Sequence, residues 1–429
     1  MLREHQIGAQ LFDIGLRTGT ILLLSMVITT CMIAAPSAHS QTFTVIYNFT
    51  GGTDGGDPMT GLTMDRAGNL YGTTWGGGGG FGTVFKLAHR GSDWVMKPLY
   101  SFHGGLDGAG PSARVIIGPD GALYGTTNAG GGGTCGYFGY SGCGTVFRLQ
   151  PPPTFCRAVL CPWTEQVIYT AHPNGGRFLF GEVVFDPAGN LYTTVYGGGL
   201  HYSGYVIELT PSHGSWISTV IHYFDLDSGD AAYPQAGLVI DQSGHLYGTS
   251  TRGGDGLAAG TVFELSPNGS GWTETLLHSF QETDGNEPQA PLIFDRQGNL
   301  YGTTFAGGPN QWGVVFELSP TGQGWTFNLL WSFAEQGDGG DLLRAPVSVD
   351  VNGNLYGTTF HTGCCGAGTV FELSPASGGW SETVLHTFFN GNDGGYPYSN
   401  VVVDVQGHAY GTTSIGGAYG KGVIWEITP

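Results

Sequence analysis

Charge is scarce in this 429-residue chain. Asp, Glu, Lys and Arg make up 11% of it, and 14 basic residues face 33 acidic ones. The net charge of −19 repels nucleic acid and anionic lipid, so neither is expected as a partner. Long apolar runs are also missing. The run starting at Ile21 is broken by Thr29, Thr30 and Cys31 and is short for a membrane-spanning helix. The sequence has no nucleophile elbow, phosphate loop or metalloprotease motif, and no Cys-x-x-Cys or His/Cys spacing for structural zinc. Glycine, by contrast, is abundant at 78 residues, without the G-x-y period of collagen. Aromatics at 13% supply the groups for a core, which a disordered chain lacks.

Residues 1–40 read as a secretory leader. Arg3 and Arg17 precede a short apolar run, and Ala35-Pro36-Ser37-Ala38-His39-Ser40 offers small residues for cleavage. Thr30 before Cys31 disfavours a lipoprotein. The leader holds two basic residues and two acidic ones, Glu4 and Asp13, so its removal leaves the net charge unchanged. The mature chain, 41–429, is expected to be secreted, outside the cell or in the periplasm, and monomeric. Without Cys31, six cysteines remain as three local pairs: Cys135 with Cys143, Cys156 with Cys161, and Cys364 with Cys365. Export makes disulfides the natural reading.

The strongest signal is a repeat. Asp65-Arg66-Ala67-Gly68-Asn69-Leu70-Tyr71-Gly72-Thr73-Thr74 recurs with its tyrosine at Tyr124, Tyr192, Tyr247, Tyr301, Tyr356 and Tyr410, at intervals of 53, 68, 55, 54, 55 and 54 residues. Each unit reads as four strands. Strand A (61–65) leads through a tight turn to strand B (69–74). A glycine-rich loop precedes strand C (82–87), and a polar loop leads to strand D (95–102). Seven such units predict an all-β, seven-bladed propeller of four-stranded antiparallel blades. The last unit has no strand D of its own, whereas Phe43 to Phe49 has the strand D pattern at the other end of the chain. That N-terminal strand is expected to complete blade 7 and close the ring, removing exposed edges.

The Gly-Asn-Leu-Tyr-Gly-Thr-Thr blocks at 68–74, 298–304 and 353–359 carry a family likeness. So do the Gly-Thr-Val-Phe blocks at 82–85, 144–147, 260–263 and 368–371, and the Asp-Gly loops at 54–55, 107–108 and 393–394. On these residues the chain resembles the bacterial tandem-repeat GloVer-containing (choice-of-anchor) proteins, over its whole mature length. The resemblance implies export and a propeller, with no defined activity. Such relatives often carry a surface-anchor segment. Here strand C leads directly to Pro429, so free secretion is the expectation.

The meander places the A–B and C–D connections on one face and the B–C and D–A loops on the other. Loops on a rigid scaffold commonly carry binding residues. The D–A loops contain Asp54, Asp107, Asp227, Asp284, Asp338 and Asp393, which either build turns or ring the face with carboxylates for a cation or polyol. Ca²⁺ needs several oxygens around one point, which separate loops do not offer unaided, so no metal or other cofactor is implied. At the start of strand A, Arg114 and Glu182 break a column of small residues, prolines and Asn400 on neighbouring blades. Read plainly, they form an interblade ion pair. With His103, His172 and His201 they could instead form a catalytic corner, a histidine acting as general base and the arginine placing an anion.

Two functions of different class follow. The first is a binding or scaffold module for a glycan, surface polymer or protein on the loop face. The alternative is an extracellular lyase or hydrolase at blades 2–3. Clustering of the five polar residues would favour the enzyme, and their dispersal would favour binding.

Adjacent Cys364 and Cys365 are expected to close a vicinal disulfide, a flat, weakly polar plate between Gly363 and Gly366. Intact mass under non-reducing conditions should then be about 6 Da below that of the reduced chain, two hydrogens being lost per bond. Two alkylatable thiols at 364 and 365 would refute the third bond.

Overall fold

The computed structural model describes residues 41–429 other than 138, 154–160, 173–174, 256–258, 270, 335–342 and 362–365. The proposed leader, Cys156, Asp338, Cys364 and Cys365 lie outside the described residues. Among the described residues, helix is limited to one 3-10 turn, Leu226–Ser228. No helix among the described residues is long and apolar enough to cross a membrane.

Seven antiparallel blades form the ring. In blade 1, strand A is Thr63–Met64, strand B Leu70–Thr74, strand C Thr83–Arg90 and strand D Asp93–Ser101. Strand A is shorter than the sequence suggests because the Asp65 turn begins at once. Asp65 accepts hydrogen bonds from the Ala67 and Asn69 amides at 2.9 Å and from the Tyr71 hydroxyl at 3.1 Å. Strands C and D are longer than expected. Their link is a two-residue hairpin, with Arg90 opposite Asp93, rather than a polar loop. Blade 2 adds a fifth strand, Ala109–Pro111. Every C–D pair carries a register shift after the second residue of strand C, which increases the local twist.

Closure follows the expected route. Thr42–Asn48 pairs antiparallel with Val423–Thr428, from Thr42 opposite Thr428 to Asn48 opposite Val423. Blade 7 therefore takes its strand D from the other end of the chain.

The repeat motif encodes the packing between and within blades. The glycine of Leu-Tyr-Gly-Thr-Thr makes room for an aromatic ring on strand C. A Cβ at Gly72 would lie 2.5 Å from Phe85 Cζ, and one at Gly411 would lie 2.3 Å from Trp425 Cζ2. Blade 3 departs at both positions together, with Thr193 opposite Ile207. The strand C ring meets a phenylalanine ending strand D of the preceding blade, as in Phe102–Phe147 at 5.2 Å and Phe224–Phe263 at 5.0 Å. Phe49–Phe85, at 5.3 Å, makes the same contact across the closing seam.

The following threonine reaches the next blade. The hydroxyls of Thr73, Thr126, Thr194, Thr249, Thr303 and Thr358 donate to the carbonyls of Ala113, Gly181, Ala236, Ala290, Ala345 and Ser399, at 2.7–3.4 Å. Thr412 donates to the Thr60 carbonyl at 3.2 Å and completes the circle. All seven threonines are buried. Replacing Thr303 by valine keeps the shape and strands a buried carbonyl, which costs about 1–3 kcal/mol. Thr412→Val should cost the same in urea unfolding, because the seam is built like every other junction. A much smaller loss at Thr412 would mean that blades 7 and 1 are joined differently.

Candidate functional site

On the B–C/D–A face the strands converge around a cavity of about 390 Å³ at the channel mouth. Two repeat positions supply most of its character. The first is the residue before the small residue opening strand A: Met59, Ser112, Phe180, Gln235, Gln289, Arg344 and Tyr398. The second is the third residue after the motif glycine, where Trp75 and Asn128 line the cavity. At both positions the scaffold around each residue repeats while its chemistry changes from blade to blade.

Asn128 is wholly buried, and neither side-chain amide atom has a hydrogen-bond partner among the described residues. Such a group is costly in an empty site. Across the ring, the Arg344 guanidinium carbon lies 4.7 Å from the ring centre of Phe305, 5.2 Å from that of Phe360 and 5.5 Å from that of Tyr398. Its Nε is buried and lacks a hydrogen-bond partner among the described residues. Arg114 Nε donates to Glu182 Oε2 at 2.7 Å. The cavity's charged lining is therefore two arginines and one glutamate, in a protein whose overall charge is strongly negative.

Of the five polar residues named at blades 2–3, only Arg114 and Glu182 line the cavity. His103 is exposed and lies 2.9 Å from Asp107. His172 is exposed, and its carbonyl caps the turn through Gly176. His201 lies 3.4 Å from Asp225.

The loop carboxylates on this face are engaged within their own loops. Asp54 accepts from the Tyr47 hydroxyl and the Thr50 amide, both at 2.9 Å. Burial would raise its pKa, but those bonds and one from the Thr50 hydroxyl hold it below the ordinary carboxylate range. Asp107 accepts from Tyr100 and from the His103 amide. Asp284 is bonded by Gln281 and His278, and Asp393 by Gly391, Phe389 and His386. Asp227 is exposed on the 3-10 turn, and Asp230 makes the corresponding loop contacts instead, accepting from the Asp225 and Ala231 amides.

Cys135 and Cys143 form the expected disulfide across the blade 2 B–C loop, and Cys161 is also disulfide-bonded. The stapled loop holds Tyr140 with its hydroxyl 2.7 Å from the Gly80 carbonyl and its ring 5.7 Å from that of Trp75. Sequence reading missed Trp75, Asn128 and Arg344. Aligning the seven units shows that the columns holding them vary against an otherwise repeated frame.

A family model described as the Gloeobacter/Verrucomicrobia repeat matches residues 34–259 and 257–429. Comparison with curated proteins returns no match. Among solved structures, a candidate 6-phosphogluconolactonase from Bacteroides uniformis is 13% identical, with TM-score 0.48, over 76% of this chain and 84% of its own. A protein of unknown function from Dyadobacter fermentans is also 13% identical, with TM-score 0.44, over 91% and 98%. A candidate glucose dehydrogenase-type oxidoreductase from Thermus thermophilus is 17% identical, with TM-score 0.41, over 74% and 94%.

Beside Asp107, on strand D of blade 2, burial and then the Asp107 charge push the Glu165 carboxyl up to about 7. The folded protein therefore holds this proton more tightly than the unfolded chain, and stability falls as pH rises from about 4.5 through 7. Glu165→Gln removes that loss. Its melting temperature should exceed that of the wild type by more at pH 8 than at pH 4. A gap independent of pH would contradict the assignment.

Proposed function

The chain belongs to the Gloeobacter/Verrucomicrobia repeat family, and we propose that it is an exported binding propeller that takes a glycan in the cavity at its channel mouth. The single observation carrying this reading is Asn128, a wholly buried amide with no hydrogen-bond partner among the described residues, lining a concave site beside Trp75. Sugars match such a lining. Their hydroxyls satisfy amides such as Asn128, Gln235 and Gln289, and their C–H faces lie against rings such as Trp75 and Tyr398. Arg344 and the excess of arginine over glutamate favour a sugar unit bearing an anionic group. The leader pattern of residues 1–40 and the Cys135–Cys143 disulfide support action outside the cytoplasm.

The lyase or hydrolase alternative has less support. Glycoside hydrolysis usually takes a pair of carboxyl groups. Glu182 is the one carboxylate among the described lining residues, and Arg114 holds it.

A panel of neutral and uronic-acid oligosaccharides, screened for binding and for chain cleavage, tests the reading. Asn128→Leu should weaken binding of the best ligand by about 10–100-fold, the cost of one to two lost buried hydrogen bonds. The same change should raise the melting temperature of the free protein, because an unpaired buried amide is replaced by an apolar group of similar size. Arg344→Gln should weaken acidic ligands selectively. Absence of binding across the panel, or binding unaffected by Asn128→Leu, would overturn the proposal. Cleavage without retention would favour the enzyme.

A further inference from the structure

The outer strands carry a second pattern, independent of the channel mouth. Near its end, strand D of each blade carries a Tyr, His or Trp, and the histidines among them face strand D of the next blade. His278 of blade 4 stacks on Phe327 of blade 5, with centroids 3.9 Å apart and planes at 8°. His386 of blade 6 stacks on Phe43 of blade 7, at 3.6 Å and 6°. Each of these imidazoles also makes a directed hydrogen bond from Nε2 to an aspartate of the following loop, Asp284 at 3.0 Å and Asp393 at 3.3 Å.

Between blades 3 and 4 the aromatic partner is replaced by a carboxylate. His222 Nε2 lies 3.0 Å from Glu274 Oε2 and 3.4 Å from Asp230 Oδ2. Despite these distances Nε2 makes no hydrogen bond among the described residues, so neither oxygen lies along its N–H direction. The Glu274 side chain is only 9% exposed, and its Oε1 is buried with no hydrogen-bond partner among the described residues. The three donor atoms lie within 4.8 Å of one another.

We propose that His222, Asp230 and Glu274 form a zinc site that staples blade 3 to blade 4. Zinc binds nitrogen and oxygen at about 2.0–2.2 Å, close to tetrahedral. Neighbouring ligands on that tetrahedron stand roughly 3.3 Å apart, and each lies roughly 35° off its neighbour's metal axis. The two N···O distances, 3.0 and 3.4 Å, lie close to that spacing. With a neutral imidazole the cluster carries two negative charges in a half-buried pocket, and a divalent cation compensates them. One imidazole and two carboxylates suit zinc better than Ca²⁺ or Mg²⁺, which take all-oxygen shells. The fourth position is left for water. The Asp225 and Ala231 amides hold the Asp230 carboxylate, so the metal would also fix the D–A loop between the blades.

The other junctions supply a control that should fold. Glu274→Phe rebuilds the histidine–phenylalanine stack found at His278 and His386, and it removes one ligand. Tag-free, EDTA-treated full-length protein should bind one equivalent of Zn²⁺ in calorimetry and melt at a higher temperature with Zn²⁺ than without. Glu274→Phe and Asp230→Asn should each lose that stoichiometric binding and the thermal shift. Zinc-edge absorption should report one nitrogen and two oxygen protein ligands. No stoichiometric binding by the wild type, or binding and a shift equal in Glu274→Phe, would overturn the site.

Discussion

One hydroxyl per blade sets the ring. The first threonine after the motif glycine donates to the carbonyl that opens strand A of the next blade, seven times, including Thr412 to Thr60 across the seam. That bond needs the strands close together, and closeness explains the residues around it. The preceding glycine yields its Cβ volume to the strand C ring, as Gly302 does for Phe316. The acceptor residue is small because a neighbouring strand lies against it. A Cβ at Gly181 would lie 2.9 Å from the Ala236 carbonyl oxygen. Composition follows from geometry here: the glycine and threonine content is the cost of bringing seven sheets to one axis.

Once those positions are fixed, the chain is free to vary at only a few places near the axis. The residue before the small residue of strand A and the third residue after the motif glycine sit at the mouth of the channel, outside the threonine ring, where some still touch the next blade, as Ser112 does in donating to the Leu179 carbonyl. Glutamine, arginine, tyrosine and phenylalanine can therefore replace one another without disturbing the threonine ring. The rigid frame also tolerates what a softer one would relax away. An unpaired buried amide at Asn128 and a buried arginine Nε at Arg344 stay in place because their backbones belong to fully bonded blades. A site of this kind is preorganised, which lowers the ordering cost when a ligand binds.

Much of this was legible in the sequence. The period, the four-strand unit and the strand missing from the last repeat led to a closed propeller. The Arg114–Glu182 pair stood out because both residues interrupt one column. Cys135 and Cys143 were adjacent enough to pair. Other features needed three dimensions. In Asp225-Leu226-Asp227-Ser228-Gly229-Asp230, three aspartates compete for one loop role, and only the 3-10 turn shows that Asp230 takes it. His222, Asp230 and Glu274 span two blades, and no local spacing announces them. Trp75, Asn128 and Arg344 share no motif and become neighbours only when the ring closes.

Several departures from the repeat meet at the junction of blades 2 and 3, beside the cavity. Blade 3 gives up the glycine–aromatic pair for Thr193 and Ile207, and Ala171 stands where other blades end strand D in phenylalanine. Tyr169 and Tyr205 compensate with a hydroxyl–hydroxyl contact at 2.9 Å. The same sector holds the stapled loop, the unpaired amide of Asn128 and the Arg114–Glu182 pair. A propeller used only as a spacer gains nothing by weakening one junction and then reinforcing it with a disulfide and extra hydrogen bonds. A binding site does gain, because its floor must differ from blade to blade while the ring stays shut. At blades 2–3 these departures lie beside the polar lining of Asn128, Arg114 and Glu182.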